Sequence, residues 1–89
     1  MSKGKKVKAL PTPNLDKDIS LELIAKTIKA KRTHLGLDSK TVAMLCGVSL
    51  VTLNKVENAY YEVRFDSVLK ILKALGIKLK IIWDNEWTS

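Results

Sequence analysis

The sequence has few of the residues that build disulfides and metal sites. Among its 89 residues there is one cysteine, Cys46, and one histidine, His34. A single cysteine cannot close an internal disulfide, and one cysteine with one histidine cannot supply the four ligands of a structural zinc site. Cys46 stands among apolar neighbours and is predicted to be a small core residue. We therefore expect neither a metal nor a cofactor.

The sequence also lacks long apolar runs and catalytic groupings. No run approaches the roughly 18 apolar residues of a membrane span. The start, "MSKGKKVKALPTP", has neither the apolar core nor the cleavage site of a secretory signal. No acid pair, nucleophile–base set or glycine-rich phosphate loop accompanies His34, so an enzyme is not expected.

What the sequence has in excess is positive charge. Sixteen Lys and Arg residues against nine Asp and Glu residues give a net charge of +7. Such an excess favours a polyanionic partner, above all a nucleic acid, although lysines also keep small proteins soluble. A chain of 89 residues suits one small domain with a thin core, so we expect a second copy or a partner to extend it.

Residues 1–18 are predicted to form a flexible basic arm. Two prolines, Pro11 and Pro13, exclude a helix, and no acidic residue precedes Asp16. Arms of this kind follow a phosphate backbone or enter a minor groove, and the alternative is a disordered, solvated terminus. The lysines of this stretch are Lys3, Lys5, Lys6 and Lys8.

Hydrophobic spacing and capping residues predict four helices in the middle of the chain. They are expected at about 20–33 with Asp18 or Ser20 as the cap, at 39–46 with Asp38, from Ser49 to about Val56, and from Phe65 or Asp66 to Gly76. Between the second and third helices, Gly47 suits a tight turn with positive φ. The residues predicted to face the core are Leu21, Ile24, Ala25, Ile28, Val42, Ala43, Leu45, Val48, Leu53, Val56, Val68, Leu69, Ile71, Leu72 and Leu75.

The hydrophobic period changes after Gly76. The stretch "IKLKIIW" alternates as a β-strand does, but no other segment of the chain reads as a strand. An isolated strand would leave a row of unpaired backbone groups, so we expect a second copy to pair its own strand antiparallel across a two-fold axis. The alternative is an extended tail lying on the helices. The residues predicted to carry dimerisation are Ile77, Leu79, Ile81 and Trp83.

Several motifs follow one another between Ile28 and Leu79. They are Ile28-x-x-x-Arg32, the break Leu35-Gly36-Leu37, Ala43 followed by Gly47-Val48-Ser49, Leu53 ahead of Val56-Glu57-Asn58, and "LKILKALGIKL". In this order they resemble the Cro/CI-like (XRE) helix-turn-helix family. The resemblance implies a mainly α, lambda-repressor-like domain of four to five helices at 19–76, a dimerisation strand at 77–83 and a polar tail at 84–89.

Within that family, the strand, the chain length and the polar tail look most like HipB-type antitoxins. The resemblance implies a cytoplasmic, nucleoid-associated bacterial repressor that binds an inverted-repeat operator as a homodimer and neutralises a HipA-type kinase toxin. Trp87 is then either the anchor for the toxin or part of a disordered tail. Two other functions stay open: a phage-type Cro/CI-like regulator without a toxin, and a protein-interaction module that has lost specific DNA reading.

The resemblance also places the DNA contacts. The third helix would lie in the major groove, where Asn54 pairs with adenine and Lys55 with guanine. Leu50 and Val51 would pack on thymine methyl groups or, alternatively, on protein. Phosphates would meet the N-termini of the second and third helices. The full set of predicted DNA-binding residues is Ser39, Lys40, Thr41, Ser49, Leu50, Val51, Thr52, Asn54 and Lys55.

Two positions depart from the family pattern, and one pair follows it. Ser39 stands where a longer glutamine is usual, and its hydroxyl reaches less far toward a phosphate than the glutamine amide would. Ala59 stands where glycine is usual, so the loop after the third helix is expected to bend differently. Arg32 and Glu57 match residues that form a structural ion pair. Two tyrosines of the same loop, Tyr60 and Tyr61, would contact the DNA backbone or pack on the fourth helix.

Overall fold

The computed structural model describes residues 7–83, and these residues contain four α-helices, as the sequence predicts. No helix within this range is both long enough and apolar enough to cross a membrane. The helices are α1 (Leu21–His34), α2 (Ser39–Cys46), α3 (Leu50–Glu57) and α4 (Phe65–Ala74).

Three of the four helices begin at a side chain that caps them. The Ser20 hydroxyl accepts a hydrogen bond from the Leu23 N–H at 3.0 Å, and the Ser49 hydroxyl accepts from Thr52 N–H at 3.0 Å. The Asp38 carboxylate accepts from Thr41 N–H at 2.8 Å. Each bond satisfies one of the N–H groups that a helix leaves without an internal partner. These local bonds explain why the observed helix starts lie within one residue of the predicted ones.

The turn between α2 and α3 depends on Gly47, which has φ 70° and ψ 32°. This left-handed conformation lets Val48 N–H reach back to the Ala43 carbonyl at 3.0 Å. The bond closes the end of α2, and α3 begins two residues later at an angle set by the turn. Glycine adopts this conformation without steric cost, as the sequence predicts for the position.

All four helices contribute to a single core. Cys46 is buried there, as predicted, and burial raises the pKa of its thiol. The core residues in contact with one another are Ile28, Val42, Ala43, Cys46, Leu53, Val56, Val68, Ile71, Leu72 and Leu75.

Three of the predicted core residues lie at the surface. Leu45 is 68% exposed and Leu69 is 42% exposed, and Leu21, in the first turn of α1, is exposed as well. On α2, the positions i, i+1 and i+4 taken by Val42, Ala43 and Cys46 already fill the inward stripe, so Leu45 points to solvent. Leu69 lies outside the corresponding stripe on α4.

Beyond Gly76, residues 77–83 form neither a helix nor a strand in the described single chain. Ile77 is half-buried against the core, whereas Ile81 is 98% and Trp83 85% exposed. The predicted strand requires a second copy as its partner, so a single chain offers it no ladder and the pairing stays a prediction. Trp87 and the rest of the tail at 84–89 lie outside the described residues.

Candidate nucleic-acid interface

The third helix, α3, separates an inward face from an outward face. Leu53 and Val56 are buried in the core, while Val51 is 63% exposed and Asn54 is also exposed. Leu50 and Asn54 are four residues apart and therefore neighbours on one side of the helix, as are Val51 and Lys55. Lys55 is half-buried. The structure thus brings the four predicted base-reading side chains together on one accessible surface.

The N-terminus of α3 is organised by two hydroxyls. The Ser49 hydroxyl accepts from Thr52 N–H and donates to the Thr52 hydroxyl oxygen at 2.9 Å. The Thr52 hydroxyl keeps its own hydrogen for an outside acceptor. N–H groups in the first turn of a helix point outward with the positive end of the helix dipole, and this arrangement suits an anion.

The N-terminus of α2 is less favourable for an anion than the sequence suggests. The Asp38 carboxylate occupies the Thr41 N–H, and it places a negative charge at the predicted phosphate site. Ser39 is half-buried, while Lys40 and Thr41 are exposed. The Lys40 ammonium group is the positive charge of this turn, so it is the best placed of the three residues for a phosphate.

Arg32 and Glu57 lie together in the interior of the domain. Arg32 Nε lies 2.7 Å from Glu57 Oε2, and Nη2 donates to Glu57 Oε1 at 3.1 Å. The two side chains are only 11% and 4% exposed. Arg32 Nη1 donates to the Leu37 carbonyl at 2.9 Å. One guanidinium thus joins α1, the α1–α2 loop and the end of α3, which makes Arg32 a brace and not a phosphate contact.

The loop after α3 holds an unusual backbone conformation. Ala59 has φ 58°, the left-handed region that favours glycine. The Asn58 amide closes the helix end by donating to the Asn54 carbonyl at 2.7 Å, and Tyr60 N–H donates to the Lys55 carbonyl at 3.0 Å. Tyr61 is 89% exposed and Tyr60 is exposed as well, so packing of Tyr61 on α4 is wrong. Both rings are accessible beside α3.

Sequence reasoning missed the role of Thr33. This side chain is buried at the end of α1, and its hydroxyl accepts a hydrogen bond from Leu10 N–H at 3.0 Å. The sequence signal that could have revealed this role is the position of Thr33 eight residues after Ala25, on the inward face of the helix.

Within residues 7–83, no cluster of three or more His, Cys, Asp or Glu side chains could hold a metal ion.

Comparisons with known proteins agree with this geometry. A family model described as helix-turn-helix matches residues 28–82. An uncharacterized HTH-type transcriptional regulator of Haemophilus influenzae is 32% identical over 59 residues, which are 66% of this chain and 58% of the relative. The chain therefore spans less than two thirds of that relative's length.

The fold is shared with solved structures of other proteins. A chain of the structure described as "Structure of HipA-HipB-O2-O3 complex" aligns with a TM-score of 0.69 and 22% identity over 81% of this chain and 100% of its own length. A chain of a complex between a HipB variant and an O2 20mer aligns with a TM-score of 0.69 and 22% identity over 82% of this chain and 100% of its own length. Because the family match includes α2, α3, α4 and more than half of the chain, the protein belongs to the XRE-type helix-turn-helix family of DNA-binding transcription regulators.

Proposed function

We propose that the protein is a sequence-specific transcriptional repressor that binds an inverted-repeat operator at the bacterial nucleoid as a homodimer. The observation that carries this proposal is that α3 has one buried face and one exposed face. Its inward face is held by the buried Leu53 and Val56, and its outward face presents Leu50, Val51 and Asn54 to solvent. A helix fixed on one side and accessible on the other is the form in which this architecture enters a major groove.

The outward face of α3 supports a specific division of base contacts. The Asn54 amide can donate and accept at once, as adenine N6 and N7 require, and Lys55 can donate to guanine O6 and N7. Leu50 and Val51 offer only apolar contact, which matches thymine methyl groups. The Thr52 hydroxyl, Lys40 and the N-terminus of α3 would bind phosphates and set the register.

The homodimer is supported by the apolar end of the described chain. Ile81, Ile82 and Trp83 are consecutive, and all three are largely exposed. Three adjacent apolar side chains in water are typical of a surface that another protein covers. Pairing of residues 77–83 with the same segment of a second copy would satisfy the backbone groups of both strands and bring Ile81 and Trp83, which share one strand face, against the second copy. A two-fold axis then predicts half-sites about one helical turn apart, or a multiple of it.

The proposal also includes a more specific function, that of an antitoxin. Its support is the structural likeness to a chain of a HipA–HipB complex with DNA, together with the polar tail that carries Trp87. We propose that a HipA-type kinase toxin is the partner and that Trp87 anchors it.

Co-expression with the product of an adjacent kinase-like gene tests this proposal. Copurification that Trp87→Ala reduces at least tenfold supports it, and retention without any change assigns the contact elsewhere. A genomic neighbourhood of phage structural genes would favour the regulator without a toxin.

A protein-interaction module is the second candidate, and the exposed apolar pair on α3 favours it. Leu50 and Val51 would then bury themselves against a partner protein and not against thymine. The two functions differ in what Leu50→Ala does. In a repressor the substitution weakens the preference for the operator, whereas in an interaction module it leaves DNA binding unchanged and weakens capture of the partner.

Binding to the gene's own upstream DNA tests the repressor directly. Fluorescence anisotropy would compare an upstream fragment with a duplex of equal length and composition at two salt concentrations. A repressor binds the upstream fragment about 10³-fold or more tightly than the control duplex. Raising the salt concentration lowers this ratio less than it lowers the absolute affinity. Equal affinities for the two duplexes at both salt concentrations would reject the proposal.

A further inference from the structure

The segment before α1 turns back along this helix. Ser20 caps the N-terminus of α1, yet Leu10, ten residues earlier, is bonded to its C-terminal turn. The Leu10 N–H donates to the Thr33 hydroxyl oxygen at 3.0 Å, and the Leu10 carbonyl accepts from His34 Nε2. A helix of 14 residues is about 20 Å long. Residues 10–20 therefore run antiparallel to α1 over most of its length and are held at both ends.

A groove of about 680 Å³ lies between this segment and α1. Volumes of roughly 300 to 1,000 Å³ are typical of sites for small molecules. Ile28 is fully buried and marks the inward side of α1. Lys26, which lines the groove, projects about 200° around the helix from Ile28, because successive residues are about 100° apart. The groove thus lies on the side of α1 away from the core, and none of its lining residues, all within 7–83, belongs to α2, α3 or α4.

Lysines from both walls dominate the charge of this groove. Lys17 belongs to the segment, while Lys26 and Lys29 are three residues apart on α1 and therefore neighbours on one face. Three lysine charges against the one carboxylate of Glu22 leave the lining at +2. No ion pair within residues 7–83 includes any of these lysines. Because neighbouring like charges repel each other, the groove favours an anion between its walls.

A neutral side chain of the groove adds further hydrogen-bond donors. The Asn14 side-chain oxygen accepts from Asp16 N–H at 2.9 Å. No acceptor within residues 7–83 occupies the NH₂ group of the same amide, so this group can donate to a ligand. Ammonium and amide donors together suit an anion that is rich in acceptor oxygens, and a phosphate group is such an anion.

The remaining surface of the groove is apolar. Pro11, Pro13 and Leu23 line it, and Pro13 and Leu23 are half-buried. The pyrrolidine rings of the two prolines are rigid, so they present a fixed apolar surface to a flat ring. An apolar lining with a few polar groups that fix orientation is the usual form of a small-molecule site. A ligand that matches the whole lining therefore combines phosphates with a planar heterocycle.

We propose that this groove binds a nucleoside di- or triphosphate, with its phosphates on Lys17, Lys26 and Lys29 and its base on Pro11 and Pro13. A chain of two or three phosphates supplies several negative charges and many acceptor oxygens, whereas a single carboxylate supplies one charge. The ligand joins the segment to α1 and so stabilises the folded-back arrangement. The site shares no residue with the candidate nucleic-acid interface, so the proposal goes beyond the repressor function and does not depend on it.

Calorimetric titration of the full chain tests the ligand class. The probes are ATP, ADP, adenosine and tripolyphosphate, each without magnesium. ATP and ADP should bind saturably and raise the melting temperature, because they bind the folded groove and not the unfolded chain. Tripolyphosphate should bind about tenfold more weakly than ATP, and adenosine more weakly still, since each offers only part of the matching surface. Tripolyphosphate as tight as ATP would overturn the proposal in favour of unspecific polyanion binding.

Substitutions along α1 test the location of the site. Lys26→Gln and Lys29→Gln should each lower ATP affinity about tenfold, because each removes a charged hydrogen-bond donor. Lys31→Gln removes the same charge from an exposed position of α1 outside the groove, so it is the matched control and should leave the affinity unchanged. Pro11→Ala should weaken ATP and leave tripolyphosphate unchanged. Thermal unfolding without ligand verifies that each variant folds.

Three results would overturn the proposal. The first is the absence of saturable ATP binding to the unchanged protein, and the second is an equal loss of ATP affinity in Lys31→Gln. The third is a random DNA duplex that displaces ATP and itself binds more weakly to Lys26→Gln and Lys29→Gln, which assigns these lysines to a DNA backbone. Operator preference measured without nucleotide tests the repressor function separately, so the failure of one proposal is distinguishable from the failure of the other.

Discussion

At the scale of single residues, the Arg32 guanidinium joins three parts of the domain. It uses all three of its nitrogens on partners from two other parts of the fold, and the site is almost closed to water. A bidentate pair of this kind fixes geometry as well as adding energy, because the planar fork matches the carboxylate. The end of α3 is thereby tied to the end of α1.

Removing one partner of this pair should be costly. Arg32→Met leaves the Glu57 carboxylate buried and uncompensated, and we expect the free energy of unfolding to fall by about 3 kcal/mol. Arg32→Met combined with Glu57→Met should cost clearly less than the sum of the two single changes. Urea denaturation of the four proteins measures both effects. If each single variant lowered the free energy of unfolding by no more than about 0.5 kcal/mol, the loss would be that of an exposed ion pair. This result would contradict the assignment of a buried pair.

A second residue with an energetic effect is Ala59. Its left-handed φ of 58° is strained because alanine carries a Cβ. The resemblance to the Cro/CI-like family leads us to expect glycine at this position. The structure places the alanine in the left-handed conformation that glycine favours, and this conformation has an energetic cost for alanine.

Ala59→Gly should therefore stabilise the protein. Relief of the left-handed strain amounts to about 1–2 kcal/mol, and the greater freedom of glycine in the unfolded chain takes back part of it, which leaves a gain of up to about 1 kcal/mol. Ala74→Gly, at the end of α4, is the matched control and should destabilise the protein. Thermal unfolding of both variants gives the comparison, and a lower melting temperature for Ala59→Gly would show that the strain is absent.

At the scale of elements, the helix starts could be predicted and the buried faces only in part. Ser20, Asp38 and Ser49 cap their helices through bonds to residues three positions later, so a short stretch of sequence contains the whole signal. The predictions for Leu45 and Leu69 are wrong because neighbouring helices, and not the local sequence, decide where an apolar stripe ends. The hydrogen bond from Leu10 to Thr33 joins residues 23 positions apart, and no local sequence pattern predicts it.

The two elements of the candidate interface should respond differently to substitution. Asn54→Ala on α3 should cost about 1–3 kcal/mol on the operator and relax base preference at one position of each half-site. Lys40→Ala on α2 should weaken binding to all duplexes alike and lower the salt slope by about 1 per protomer. Lys73→Ala, an exposed lysine of α4, is the control for charge alone.

Titrations against the operator and its single-base variants measure these responses. If Lys40→Ala altered base preference, or if Asn54→Ala left it intact, the roles given to α2 and α3 would be wrong. A Lys73→Ala variant with the slope change expected of Lys40→Ala would make charge, and not position, the cause.

At the scale of the whole molecule, the described chain leaves apolar side chains uncovered at its C-terminal end. Its core is thin, and the apolar side chains of Ile81, Ile82 and Trp83 lie in solvent. The sequence predicts a strand at 77–83, but β-structure needs a partner that a single chain does not contain. The strand therefore stays a prediction from the alternating pattern, because its hydrogen bonds would have to come from a second molecule.

Charge placed in the proposed strand should separate the protomers. Ile81→Asp and Leu79→Asp should each give a monomer, because they bury a carboxylate in the apolar pairing surface. Leu35→Asp, a change at an exposed leucine at the end of α1, should leave the mass unchanged. Analytical ultracentrifugation distinguishes the species. A dimer that persists in both strand variants would require a different interface.

Selection of bound sequences from a random duplex library tests the central claim most directly. A homodimer that reads DNA through α3 should enrich an inverted repeat whose half-site centres lie about 10 base pairs apart, or a multiple of it. Thymines should recur opposite Leu50 and Val51, and an adenine opposite Asn54. Enrichment of a single, asymmetric half-site would contradict the dimer, and recovery of the library without enrichment would contradict the repressor itself.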